Sequence, residues 1–289
     1  MRLPGSEKVI VGYDLGNKYA QISCYVTGSE EEIRTLSSVA GSSVYTIPLA
    51  LSKRQGVNQW FYGSEAIRYA GEEEGILVEN LLKLARDGEP VQIDGAPIDP
   101  VALLTLFLKR SLLSQVTNTE RIGALMITCE ELDHRMLEVL TAATEGLHLK
   151  TDQICFQSHV ESFYYYNLYQ PEELWRHKTI LCEYGDASIR TYCMECNRHT
   201  TPVVAYMEER EFPFPVPESD EKMQEIAKKL CENQMISSVY LIGEAFSRDW
   251  MKESLRYLCK GRRVFQGNNL FSKGACYGMM ERLTPGETG

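Results

Sequence analysis

The chain has 289 residues, 44% of them apolar and 24% charged, which suits one large or two medium globular domains. Its net charge is −10 and its lysines and arginines are scattered, which argues against nucleic acid or an anionic membrane as the main partner. No apolar run approaches a membrane span and the start lacks the apolar centre of a signal peptide. The nine cysteines include Cys24, Cys155, Cys182 and Cys231 among apolar neighbours, and they read as reduced thiols of a cytoplasmic protein rather than a disulfide framework.

Period-2 alternation predicts strands, and apolar spacings of three and four predict helices. A first segment, 1–171, opens with strands at about 8–14, 20–27 and 33–39. A mixed insertion over about 42–98 follows, with the apolar run Tyr45–Leu51, the aromatic cluster Trp60-Phe61-Tyr62 and a helix near 64–70. Then come a helix over 99–115, a strand at Ile122–Thr128, a helix near 131–146, a strand at Gln153–Phe156 and a helix over 158–169. Gln170-Pro171 marks a break, because proline disfavours helix in the residue before it. The second segment, 172–289, reads as strands at Thr179–Glu183, Ile189–Cys196 and Pro202–Tyr206, then a stiff proline-rich connection, Phe212–Pro217. A helix over 219–233 with Ser219 and Asp220 as candidate caps, a strand at Val239–Ile242, a helix over 247–259, a strand at Arg263–Phe265 and a helix over 272–283 complete it. Thr284–Gly289 reads as the start of a linker.

Both segments thus follow one order: three strands, helix, strand, helix, strand, helix. Three meandering strands followed by alternating helices and strands imply a mixed sheet with helices on both faces.

The first hairpin carries the most chemistry. Asp14 ends an apolar strand, and Leu15-Gly16-Asn17-Lys18-Tyr19 turns the chain back. Gly16 permits a positive φ and a close backbone approach to a ligand. Successive N–H groups in such a turn form an anion-binding concavity, and a carboxylate beside it suits a hydrated Mg²⁺. The same residues also read as an ordinary hairpin whose Asp and Asn serve the turn.

Other constellations are weaker. Cys193-Met-Glu-Cys196-Asn-Arg-His199 supplies three zinc ligands where structural sites use four. Ser158, His159 and Glu161 are catalytic residue types, but their spacing reads better as a capped helix start. The Tyr164–Tyr166 run reads as helix packing. Lys83 and Arg86 read as a solvated helix face. No Walker-type phosphate loop occurs.

The element order, with Asp14-Leu15-Gly16 in the first hairpin, resembles the actin-like ATPase superfamily, and most closely the nucleotide-binding domain of DnaK-type chaperones. Further motifs fall in order. They are Tyr45–Pro48 through Trp60–Ala66, the stretch from Ile127, the hinge helix over Gln157–Tyr166, the adenosine-motif position Val239–Phe246, and a final hinge helix with Ser272–Gly278. The resemblance implies two ribonuclease-H-like domains with mixed five-stranded sheets, closing over ATP or ADP with Mg²⁺. Asp14, Gly16, Asn17, Lys18 and Tyr19 would form the first phosphate loop, Glu183, Gly185 and Ser188 the second, with Gly243 and Glu244 near the nucleoside. Asp14 and Glu183 would hold the metal through water.

The sequence departs from that pattern where hydrolysis needs it most. Asp186 stands where backbone faces phosphate, and Arg190 replaces a final aspartate. The hinge glutamate is absent near Gln157-Ser158-His159, and Glu244 replaces a second glycine. About a dozen residues between Tyr206 and Ser219 replace the insertion that walls the adenosine pocket. The expectation is a divergent, chaperone-like nucleotide-binding protein with weak or absent hydrolysis. The alternative is a pseudo-ATPase serving as a scaffold for an unidentified protein partner.

Overall fold

A computed structural model describes residues 7–38, 42–72, 75–116, 118–197, 199–200 and 204–285. The linker expected after Leu283 lies largely outside these, as do the end of the strand expected over 33–39, Arg198, and the start of the strand expected at Pro202. By contacts the chain divides into two units: residues up to Ser162 together with those from Phe271 onward, and the continuous stretch Phe163–Leu270.

In the first unit, β1 (Val9–Leu15) and β2 (Tyr19–Val26) form the opening hairpin, followed by β3 (Arg34–Thr35) and β4 (Ile47–Pro48). An excursion follows: β5 (Leu51–Arg54), β6 (Trp60–Tyr62), α1 (Gly63–Glu72), β7 (Gly75–Val78), α2 (Leu81–Asp87), β8 (Val91–Ile93) and β9 (Ala96–Ile98). The chain then returns through α3 (Pro100–Val116), β10 (Ile122–Cys129), α4 (His134–Glu145), β11 (Ile154–Ser158) and the start of α5 (His159–Leu168). The main sheet has the order β11-β10-β1-β2-β3, with β4 also paired to β2. Strands β1, β10 and β11 run parallel, while β2 is antiparallel to β1.

Alternation along β1 explains how the sheet is covered. Val9, Val11, Tyr13 and Leu15 face one side and pack with Leu104, Phe107 and Leu108 of α3 and Val139 and Leu140 of α4. Each such fully buried side chain stabilises the fold by about 1.5–3 kcal/mol. Tyr13 carries a hydroxyl into this core, and Ser111 Oγ partners it at 2.8 Å. On the other side, Ile10 packs with Ala124 and Met126 of β10 and with Ala275, Cys276 and Met279 near the C-terminus. Asp14 shares the side of Ile10, two positions further along each time.

The second unit holds the rest of α5, then β12 (Lys178–Tyr184), β13 (Ser188–Asn197), β14 (Val204–Pro213), α6 (Asp220–Cys231), β15 (Ile236–Ile242), α7 (Glu253–Leu258), β16 (Arg263–Gln266) and the first residue of α8 (Leu270–Leu283). Its sheet order is β14-β13-β12-β15-β16, with β12, β15 and β16 parallel and β13 and β14 antiparallel to their neighbours. Because β4 also pairs with β2, the first sheet has six strands rather than the expected five; with β4 set aside, both sheets read 3-2-1-4-5 with matching strand senses. Ile180, Cys182, Val239 and Leu241 bury one side of this sheet against Met223, Ile226 and Ala227 of α6 and Leu258 of α7. Phe163 and Tyr166 of α5 meet Tyr240 edge-on at 6.3 and 5.6 Å, so part of the tyrosine run is packing.

The mixed α/β architecture is as expected, with differences in detail. The third strand of the first sheet is only Arg34–Thr35 among the described residues, paired with Cys24 and Ser23 in the middle of β2. The insertion holds a three-stranded antiparallel sheet, order β6-β5-β7, and the β8–β9 hairpin, which local alternation was too short to signal. In the second unit β14 runs on to Pro213, so the proline-rich connection begins as strand, and proline is tolerated there at an edge. The helix expected over 247–259 is cut to Glu253–Leu258, preceded by a tight turn at Glu244–Ser247. The helix read as the end of the second half belongs, from Phe271 onward, to the first unit.

That return has a steric basis. A Cβ on Gly12 of β1 would stand 2.1 Å from Ser272 O, and one on Gly274 of α8 would stand 2.0 Å from Ser162 O. Only glycine lets α8 lie this close to strand β1 and helix α5.

Ser219 caps α6 by accepting from Lys222 N at 3.3 Å. Asp220, expected to share that role, instead caps α7. Its carboxylate accepts from the N–H groups of Lys252, Glu253 and Ser254 at 3.1, 2.8 and 2.9 Å and from Ser254 Oγ at 2.6 Å. Partial burial works to raise its pKa, but these hydrogen bonds outweigh it and hold the group down to about 2. The stabilisation is therefore complete above the unfolded value of about 3.9 and is lost as pH falls through about 2. Asp220→Ala should lower stability by about 1–2 kcal/mol at neutral pH, with the difference from wild type vanishing toward pH of about 2 in urea titrations.

Among the described residues no disulfide forms, and no helix is long and apolar enough to cross a membrane.

Candidate functional site

The two hairpins expected to hold phosphate close in the same way. Gly16 N donates to Tyr19 O at 3.0 Å, and Gly185 N donates to Ser188 O at 2.9 Å. In each, a carboxylate lies two residues before the glycine: Asp14 opposite Gln21, and Glu183 opposite Arg190. Neither glycine has a positive φ, contrary to the expectation for Gly16. The requirement is close approach, since a Cβ on Gly16 would stand 2.8 Å from Tyr19 O and one on Gly185 3.0 Å from Ser188 O. Asn17, Lys18 and Tyr19 project into solvent, with Tyr19 43% exposed. Asn17 Nδ2 reaches Glu130 Oε2 at 3.2 Å.

The surroundings of Asp14 follow from strand register. Asp14 pairs with Thr128 of β10, and Thr128 with Gln157 of β11, so the three share one rung near the C-terminal ends of parallel strands. That edge is where open α/β sheets characteristically bind ligands. Two residues beyond Gln157, His159 places Nε2 2.7 Å from Asp14 Oδ1. The ionised carboxylate can only accept, so Nε2 carries the proton. The side chains are 4% and 14% exposed respectively. The imidazole lies flat on Phe271, with centroids 3.8 Å apart and planes 6° from parallel. Sequence reasoning weighed His159 as a catalytic residue type and preferred a helix start. Nothing local ties it to a residue 145 positions earlier.

The helix start itself is as expected. Ser158 N donates to Glu161 Oε2 at 2.7 Å and Glu161 N to Ser158 Oγ at 3.2 Å, a reciprocal capping box. This occupies Glu161, the acid nearest the missing hinge glutamate. Gln157 is fully buried, donating Nε2 to Ser162 Oγ at 2.7 Å and to Gly274 O at 3.2 Å, and Ser162 Oγ donates to Thr128 Oγ1 at 2.7 Å. It is a group of the α5–α8 packing, remote from water. Burial pushes the thiol of neighbouring Cys129 up to about 12, and the charge of Asp14 adds to the effect, so it is no nucleophile.

In the second unit, Ser188 Oγ donates to Glu211 Oε1 at 2.6 Å, and Arg190 pairs with Glu209 at 3.4 Å. Gly243 closes β15 with φ 121°, a conformation that strains L side chains, and its N–H donates to Asn268 Oδ1 at 2.8 Å. A Cβ there would stand 2.9 Å from Tyr184 Cβ, so this glycine seats the turn against β12. Asn268 is a residue that the sequence reading missed. Glu244 begins the tight turn and is exposed.

The remaining candidates resolve as structure. Lys83 pairs with Asp87 one turn on at 2.5 Å, and Arg86 pairs with Asp133, the N-cap of α4. Cys193 and Cys196 are three apart on β13 and so point to opposite sides of the sheet. Among the described residues no group of three or more His, Cys, Asp or Glu side chains converges as metal ligands.

No curated protein matches the chain. The model for the C-terminal part of a family of unknown function (DUF5716) matches residues 32–289, which leaves the first hairpin outside the match. With nearly all of its length matched, the chain belongs to that family.

Proposed function

We propose that the chain is a divergent member of the actin-like ATPase superfamily. It would have two ribonuclease-H-like domains, bind ATP or ADP, and hydrolyse it weakly or not at all. The observation that carries the reading is the repeated hairpin set in a repeated sheet. Each unit has order 3-2-1-4-5, and each first turn is closed by a glycine N–H onto a carbonyl three residues on, with a carboxylate two residues before. Phosphoryl transfer is mostly positioning and charge stabilisation and needs a group that orients water. Gln157 is buried in helix packing, Glu161 caps α5 and Arg190 faces Glu209, which supports binding without efficient turnover. Isothermal titration of the full chain with ADP and ATP at millimolar concentration should show one nucleotide per chain, with phosphate release near the uncatalysed rate. Absence of binding by both nucleotides overturns the reading.

The second hairpin favours a second reading, a pseudo-ATPase scaffold. There the Ser188 hydroxyl is engaged by Glu211, and Asp186 adds negative charge where phosphate would approach. On that reading a protein partner is recovered equally with and without nucleotide.

A further inference from the structure

We infer that His159 takes the place of a divalent cation at Asp14, so that nucleotide binding by this chain is independent of Mg²⁺. The inference rests on the nucleotide reading above, and it turns on a disagreement between the residues present and the metal that the resemblance implies.

A hydrated Mg²⁺ needs an ionised carboxylate oxygen facing water, and it gives up its own waters reluctantly. Asp14 does not offer that arrangement. Its side chain is 14% exposed, and Oδ1 accepts from His159 Nε2 at 2.7 Å, the short distance of a charge-assisted hydrogen bond. The imidazole directs the positive end of an N–H dipole at the oxygen, where a cation would otherwise lie.

His159 is also not free to swing away. Its ring is stacked on Phe271 of α8. Its backbone begins α5 behind the Ser158–Glu161 capping box. One turn along, Ser162 O faces Gly274 so closely that no Cβ fits between them. A metal at Asp14 Oδ1 has to displace His159 Nε2, which is held there by its stack on Phe271 and by the start of α5. A carboxylate held this way is a built feature of the strand end, since it joins residues 145 positions apart.

The test uses the full chain, ADP as probe, and two conditions: excess Mg²⁺, and EDTA. The ADP dissociation constants should agree within about twofold between them. In parallel, Mn²⁺ titrated into nucleotide-free chain and followed by electron paramagnetic resonance should keep the signal of the free ion. His159→Ala opens Asp14, and it should bind Mn²⁺ and bind ADP about tenfold more tightly in Mg²⁺ than in EDTA. His159→Gln can donate to Asp14 in the same direction, should stay insensitive to metal, and controls for loss of fold. A wild-type chain that loses ADP affinity about tenfold in EDTA overturns the inference and leaves the nucleotide reading standing. So does bound Mn²⁺ that disappears in Asp14→Asn. A folded His159→Ala variant that gains neither metal binding nor metal dependence also overturns it, because His159 then is not what excludes the ion. ADP binding in neither condition overturns the nucleotide reading instead, and the Mn²⁺ arm still decides whether His159 closes Asp14.

Discussion

Gly274→Ala should lower the stability of the first unit by about 3 kcal/mol, the upper end of the usual range for overpacking in a well-packed interior. The added methyl would lie 2.0 Å from Ser162 O and 2.7 Å from Ser162 C. Both are backbone atoms of α5, so no side chain can rotate aside, and α8 must move instead. That movement would pull Gln157 Nε2 from Gly274 O and loosen the Thr128–Ser162–Gln157 chain of hydrogen bonds behind it. Urea denaturation should show the first unit melting earlier, and amides of α8 and β1 should lose hydrogen-exchange protection together. Gly71→Ala is the matched control, because its Cβ would meet nothing within 4 Å. It sits in the last turn of α1, where alanine is favoured over glycine by about 0.5–1 kcal/mol, so it should be neutral or stabilising. Equal losses from the two substitutions would show that α8 is not seated through Gly274.

The second large effect concerns the Asp14–His159 contact itself. Removing one partner of a buried hydrogen bond to a carboxylate costs about 1.5–3 kcal/mol, because the other is left without compensation. His159→Ala and Asp14→Ala should each fall in that range. The histidine change also forfeits its stack on Phe271. The informative measurement is the double-mutant cycle in urea. The double variant should lose little more than either single one, since residues in one contact act as a unit. Strictly additive losses would mean that the 2.7 Å contact contributes no coupling.

These two sites divide what the sequence makes legible from what it does not. The order of strands and helices in both units follows from local periodicity, and so do the caps at Ser158, Glu161 and Ser219, because each depends on neighbours within a turn. Strand alternation puts Tyr13 in the core with Ser111 and Asp14 on the opposite side, a division that the sequence reading did not draw. The partner of Asp14 is a different matter. It is fixed by the parallel register of β1, β10 and β11, and that register is set by packing across the whole sheet rather than by any short motif. The same holds for Asp220, whose carboxylate is drawn to the start of a helix more than thirty residues on. Gly16 was read for its freedom of φ, whereas its use is to let Tyr19 O come close. The short strands of the insertion escape notice because two to four residues carry too little alternation to separate strand from loop.

The chain leaves the first unit at Ser162 and re-enters it at Phe271, and this sets a schedule for synthesis on the ribosome. The second unit is continuous and can collapse as soon as its own residues emerge. The first unit, although translated earlier, must wait for α8 before Ile10, Gly12 and Met126 are covered. At roughly 5–20 residues per second, the intervening stretch Phe163–Leu270 corresponds to a delay of about 5–20 s. During that interval an apolar face of a half-finished sheet is open to solvent, so the nascent chain's demand for chaperone protection falls on the part made first rather than the part made last.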